Sequence, residues 1–240
     1  MTPALGVLML DTRFPRLPGD IGNPATFAFP VRYRVVSGAS PSRVVIEADR
    51  TLVGPFVAAA QALAADGCAA ISTSCGFLAL FQAELEAAVT VPVWTSSLLL
   101  VPELQAALPE GRRVGVVTAD AASLSPAHLR AAGAAEDTPI EGLSPDSPFH
   151  ATLIDNRPEL DAGLAEAATV AAALRLAHRH PELGAIVLEC TNMAPYARAL
   201  RDHVRLPVYD IYSFMTWFHA GLAPRDFGHP ASAPRAWRER

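Results

Sequence analysis

Two of the chain's three cysteines end runs of the same kind, Ile71-Ser72-Thr73-Ser74-Cys75-Gly76-Phe77 and Ile186-Val187-Leu188-Glu189-Cys190-Thr191-Asn192. Each is an apolar stretch that stops at a thiol among small polar residues. A thiolate on one side of a carbon acid and a thiol on the other can remove a proton from one face and return one to the opposite face. Such chemistry needs two acid/base groups in different protonation states and no cofactor. A lone cysteine is more often inert packing. Cys68, which starts its run and has no counterpart, is read that way. Cys75 and Cys190 are the candidate catalytic pair.

The two cysteines occupy equivalent places in a repeat. An offset of 115 lays Cys75 on Cys190, Ala70-Ile71 on Ala185-Ile186, and Val91-Pro92-Val93 on Leu206-Pro207-Val208. An offset of 109 lays Leu5-Gly6 on Val114-Gly115 and Asp11 on Asp120. Three matches in the same order imply two similar halves, each with an opening strand, a cysteine-ending strand and a Pro-Val strand.

Ligands of open α/β sheets bind beyond the carboxyl ends of the strands. Both cysteines stand at such ends, each ahead of a helix; Gly76 lets the backbone turn and Pro195 suits a first helical turn. N–H groups at a helix start favour an anion, so a thiol there is expected to titrate below its usual ~8.5. The same N–H groups, the hydroxyls of Thr73, Ser74 and Thr191 and the amide of Asn192 offer a carboxylate site. Asp11 and Asp120 close the opening strands as caps. In a functional reading Asp11 joins the catalytic set, accepting a hydrogen bond from a cysteine or helping to deprotonate it.

The connection from Asp11 to Pro41 is rich in proline and glycine and too aperiodic for a helix, apart from a short strand, Val31–Val36. A loop this long after a first strand commonly serves a site. It reads either as a surface excursion or as a wall of the pocket, with Arg13 the candidate for an anionic substrate group.

Helical spacing recurs between the strands. Leu52, Phe56, Ala60 and Leu63 form one apolar stripe ending at Gly67, and Phe77, Leu80, Phe81, Leu85 and Ala88 form another directly after Cys75. Leu160, Leu164, Ala168, Ala171 and Leu174 predict a long helix closing near His180-Pro181. Strands alternating with helices predict an α/β fold of two pseudo-symmetric Rossmann-like lobes, with parallel sheets and the active site in the cleft between them. The expected boundaries are 1–97 plus 213–240 for the first lobe and 98–212 for the second, the last helix packing back on the first lobe.

All 19 cationic side chains among the 240 residues are arginine. The absence of lysine excludes a pyridoxal Schiff base and a P-loop. A net charge of −5 argues against a nucleic-acid partner or an anionic membrane surface. No apolar run reaches the ~18 residues of a spanning helix, and no basic segment precedes the N-terminal apolar run. Three cysteines make no disulfide framework, so the expectation is a soluble cytoplasmic protein. The Cys68–Cys75 spacing fits no zinc pattern, and His178 and His180 decorate a helix end. No metal and no cofactor are expected. The expected partner is a small carboxylate, and a homodimer is compatible with the chain.

With both cysteine strands and the duplication in hand, the sequence resembles the aspartate/glutamate racemase superfamily. That group holds cofactor-independent amino-acid racemases, hydantoin racemases, maleate isomerases and arylmalonate decarboxylases. The resemblance runs from Leu5 to about Phe218 and rests on Thr73-Ser74-Cys75-Gly76, Thr118 after Val114-Gly115-Val116-Val117, and Cys190-Thr191-Asn192. It implies that Ser74, Thr118, Thr191 and Asn192 hold a substrate carboxylate. The chain departs from the amino-acid racemases in having Gly76-Phe77 where they show Asn-Thr, and Glu189 where relatives carry a small residue. The leading expectation is a racemase or epimerase acting beside a carboxylate through two thiols. The alternatives are a one-cysteine isomerase or decarboxylase, and a two-lobed protein that binds a small acid without turning it over.

Overall fold

The computed structural model describes residues 2–226, so the expected return of 213–240 to the first half is seen on 213–226 and residues 227–240 lie outside the described residues. Two four-stranded parallel sheets carry the fold. In the first, β1 (Ala4–Met9), β2 (Val31–Val35), β3 (Cys68–Thr73) and β4 (Val93–Trp94) lie in the order β2-β1-β3-β4. In the second, β5 (Arg113–Thr118), β6 (Ile140–Gly142), β7 (Leu183–Leu188) and β8 (Val208–Tyr209) lie in the order β6-β5-β7-β8. The central strands are buried almost throughout, as continuous apolar runs require when helices cover both faces.

The register confirms the repeat. Gly6 pairs with Ile71 and Gly115 with Ile186; Ile71 then pairs with Val93 and Ile186 with Val208. Both opening strands even slip register at the same place, between Ala4 and Leu5 and between Arg113 and Val114.

The helices are α1 (Val53–Ala65), α2 (Gln82–Ala88), α3 (Leu100–Ala107), α4 (Pro126–Ala131), α5 (Pro148–Ile154), α6 (Ala162–Arg179), α7 (Ala197–Val204) and α8 (Ile211–Leu222). The stripe of α1 buries Phe56, Ala60 and Leu63, and Gly67 follows with φ +82°. The segment after Cys75 is helical but opens as a 3-10 stretch, Gly76–Phe81, before α2; Cys190 is followed by an equivalent stretch, Thr191–Tyr196, in which Pro195 is fifth rather than first. In α6 the expected face is wrong. Leu160 precedes the helix, while Leu164 (50% exposed) and Leu174 (43%) face outward. Ala165, Thr169, Val170, Ala172, Ala173 and Leu176 pack inward instead, a stripe at helical spacing in which small residues alternate with Val170 and Leu176.

Helix α8 packs Ile211, Phe214 and Met215 against Leu5, Val7, Met9 and Ala70 of β1 and β3, so the chain does end its described part on the first sheet. His219 Nε2 lies 3.0 Å from the carbonyl oxygen of Pro3. The main core is shared between the halves, with Leu8, Ile71 and Phe77 in one cluster with Val114, Val116, Leu129 and Val187. The Ser97 hydroxyl, on the crossing segment, donates to the carbonyl oxygen of Leu188 at 2.6 Å. Among the described residues no helix is long and apolar enough to cross a membrane.

Candidate active site

Cys75 and Cys190 line one pocket, formed where β3 and β7 end. Leu10, Phe14, Val45, Phe77, Leu153 and Ile154 supply apolar wall, and Arg16 is the cation at its edge. The pocket encloses about 390 Å³ including its mouth. That fits a substrate of a few heavy atoms.

Equivalent backbone bonds hold the two cysteine segments: Ser74 N–H donates to Leu8 O at 2.9 Å and Glu189 N–H to Val117 O at 2.8 Å. Between the halves, the Thr191 hydroxyl donates to Ser74 O at 2.8 Å. The residue after the second cysteine is thereby fixed to the residue before the first.

The thiols are not acidified as their strand-end positions led us to expect. Backbone N–H groups of Phe77 and Leu78 lie near the Cys75 sulfur and favour its anion, as does Arg16, although the Leu78 N–H donates to the Cys75 carbonyl oxygen at 3.1 Å. Burial and the neighbouring Glu189 charge outweigh them and push the Cys75 thiol up to about 12. Burial, with Glu189 second, also raises Cys190 well above its ordinary range, and only the Asn192 N–H opposes. Short 3-10 turns in a dry site stabilise an anion less than solvent does. Cys75 is the better placed of the two to become a thiolate.

Of the residues singled out in the sequence, Ser74, Cys75, Gly76, Cys190 and Asn192 line the pocket. Ser74 Oγ accepts the Leu10 N–H at 2.9 Å. The other hydroxyls are turned to structural bonds. Thr73 Oγ1 lies 2.6 Å from the carbonyl oxygen of Thr95 and 2.9 Å from that of Cys75, which share its one proton, and the Thr191 hydroxyl is spent on Ser74. Thr118 does not reach the pocket wall but donates to Glu189 Oε2 at 2.6 Å. Asp11 is a correction: its exposed side chain accepts the Gly38 N–H at 3.1 Å, away from both thiols, as the cap of a turn. Arg13 is another, since it is exposed and only its backbone N–H is engaged, by Asn156 Oδ1 at 2.6 Å. Asp120 is a cap, bonded to Ser123 N–H and to His150. Cys68 is buried packing.

The long loop is a wall of the pocket, but through Phe14 and Arg16. Arg16 Nη1 contacts Asp20 at 3.1 and 3.3 Å, Nη2 donates to Thr12, and the buried Nε has no partner. Asp20, raised by burial and held down by Arg16, also accepts Gly22 N–H and the Asn192 amide. Gly19, at φ +103°, lets this loop lie on Pro195, whose Cα would sit 3.0 Å from a Cβ there. The Arg16–Asp20 spacing was a readable signal, obscured because its i,i+4 relation implies a helix that this proline-rich loop does not form.

Glu189 is the other residue that sequence reasoning left without a role. It is fully buried, lines the pocket, and has one oxygen, Oε1, without a partner. Burial pushes its carboxyl up to about 7 against the Thr118 hydrogen bond. A Cβ on Gly76 would overlap Glu189 Oε1 and its carbonyl oxygen, so position 76 must be glycine for this carboxyl to fit. Among the described residues no group of three or more His, Cys, Asp or Glu is arranged to hold a metal ion.

No family model matches the sequence. The chain is 30% identical over 231 residues to a dimethylsulfoniopropionate lyase of Durusdinium sp. clade D, an alignment covering 91% of this chain and 75% of that protein. It is also 30% identical over 229 residues to dimethylsulfoniopropionate lyase 7 of Emiliania huxleyi, covering 92% and 67%. Among solved structures, a point mutant of arylmalonate decarboxylase in its sulfate-associated form superposes with a TM-score of 0.62 at 18% identity, over 92% of this chain and 93% of that one. The glutamate racemase of Aquifex pyrophilus gives 0.57 at 15% identity, over 91% and 83%. These structures share the fold. The chain shares the fold of arylmalonate decarboxylase and glutamate racemase, and on sequence it belongs to the dimethylsulfoniopropionate lyase family.

Proposed function

We propose that the protein is a cofactor-independent lyase that removes the proton beside the carboxylate of a small acid and expels a leaving group from the next carbon. Dimethylsulfoniopropionate, the compound in the relatives' names, is the first substrate to test. One observation carries the reading: Cys75 and Cys190 line a single narrow, largely apolar pocket with Arg16 at its edge.

In this reading Arg16 receives the substrate carboxylate on its free Nε, and the apolar wall surrounds the methyl groups. The Cys75 thiolate takes the proton from the carbon next to the carboxylate. The C–H electron pair becomes the carbon–carbon double bond. The C–S bond breaks, its pair leaving with dimethyl sulfide, and acrylate remains. Cys75 ends the turnover as the thiol it was before substrate bound, having given its own proton to water when the sulfonium entered. A sulfonium brings a positive charge into the dry pocket, and a nearby cation favours the ionised form of a thiol. Burial thus keeps Cys75 protonated until such a substrate arrives.

Racemisation is the second reading, favoured by the equivalent placement of Cys190, which needs only to return a proton to the opposite face. The two share their first step and part at the intermediate. Incubating the protein with dimethylsulfoniopropionate, and separately with a panel of chiral amino and hydroxy acids, in D₂O separates them by NMR. The lyase reading predicts acrylate and dimethyl sulfide. Deuterium entry with inversion of a chiral acid, and no elimination, selects racemisation. Binding of these acids with neither exchange nor turnover returns the protein to a binding role.

A further inference from the structure

We propose that Glu189 works as a neutral carboxylic acid whose Oε1–H donates a hydrogen bond to the substrate carboxylate as negative charge builds on it. The inference rests on the reading of the pocket as a carboxylate site. Glu189 follows β7 directly, has no solvent exposure, and shares the pocket wall with both thiols. The titratable or charged groups around it are Cys75 and Cys190 beside it, and Arg16 and Asp20 on the loop wall. None of them neutralises it: Arg16 pairs with Asp20 through Nη1, and among the described residues no ion pair reaches Glu189. A buried carboxylate with one hydrogen bond and no cation is costly, whereas the neutral acid is not.

The bonding pattern fits the acid. Thr118 donates to Oε2, which makes Oε2 the carbonyl-type oxygen and puts the hydroxyl on Oε1. Oε1 has no partner, so the neutral acid presents an unmatched buried donor. Oε1 lies against the backbone of Gly76, the residue after Cys75, where only the absence of a side chain admits it. A donor there meets the growing charge on a carboxylate whose neighbouring carbon is losing a proton to Cys75. An ionised Glu189 would do the reverse, repelling the substrate and raising both thiols.

Two readouts test this, and neither needs turnover. In infrared difference spectra of wild type against Glu189→Gln at pH 6, a protonated-carboxyl band is expected that fades as pH rises through about 7. In calorimetric titrations at pH 8 with 4-methylpentanoate, an isostere of dimethylsulfoniopropionate that keeps the carboxylate and lacks the sulfonium charge, run in buffers of different ionisation heat, wild type is expected to take up close to one proton per ligand bound and Glu189→Gln none. Absence of the band at pH 6, or ligand binding without proton uptake, overturns the inference. Proton uptake is read on the wild-type protein alone, so a Glu189→Gln variant that fails to fold does not remove the test. If they hold while dimethylsulfoniopropionate is not turned over, the lyase assignment fails and the neutral acid stands.

Discussion

The hydroxyl of Thr191 reaches 2.8 Å across to the carbonyl oxygen of Ser74, joining the residue that follows Cys190 to the residue that precedes Cys75. Both residues are buried, at 2% exposure each. The bond sets the spacing of the two half-sites, which come from different sheets.

Thr191→Val keeps the shape and removes the donor. Leaving the Ser74 carbonyl unpaired is expected to lower stability by about 1–3 kcal/mol, read from urea denaturation. Because the half-sites lose their tie, kcat should fall more than KM changes. An unchanged kcat would show that the spacing is held elsewhere.

Arg16→Lys keeps the charge beside Asp20 and loses the planar fork. With dimethylsulfoniopropionate we expect KM to rise roughly tenfold with little change in kcat, as befits a group that holds the carboxylate equally in ground and transition states. Arg16→Gln should be harsher, costing about 3–5 kcal/mol of stability because Asp20 is left buried without its cation. Steady-state kinetics of Arg16→Lys beside the urea midpoint of Arg16→Gln separates the two effects.

Glu189 links the site to pH. Its folded-state value of about 7 lies above the 4.5 of an unperturbed glutamate, so the folded protein prefers the neutral form. The stability associated with that proton is present in full below pH 4.5 and is lost as pH rises through 7. Glu189→Gln cannot ionise, so above pH 7 it should be the more stable protein, by an amount on the order of 3 kcal/mol that shrinks below pH 5. Urea midpoints of the two proteins at pH 5 and pH 8 give the comparison. A difference independent of pH would mean that Glu189 stays in one protonation state.

Much of this fold was legible in the sequence because the repeat is written in residues that the sheets need. Gly6 and Gly115, Ile71 and Ile186, and Val93 and Val208 occupy matching registers. The cysteine pair was legible for the same reason. What was not legible depends on contacts between segments far apart in the chain. Thr118 looks free at a strand end until Glu189, 71 residues on, takes its hydroxyl. Arg13 and Arg16 are alike in sequence, and only the fold of the loop turns one to solvent and the other to the pocket. The inward face of α6 differs from the expected one because alanines lie on both sides of this helix, so its leucines alone do not mark the buried stripe: Leu176 is inward while Leu164 and Leu174 are outward.

The claim on which the rest depends is that the Cys75 thiolate removes the proton next to the substrate carboxylate. Wild type, Cys75→Ser and Cys190→Ser should each be incubated with dimethylsulfoniopropionate in D₂O, following dimethyl sulfide in the headspace and deuterium in the remaining substrate. The account predicts that Cys75→Ser loses roughly 10²–10⁴-fold in dimethyl sulfide release, the usual worth of a positioned base. It also predicts that any exchange left in Cys190→Ser is confined to the single prochiral hydrogen facing Cys75. Near-full release of dimethyl sulfide by Cys75→Ser would contradict it.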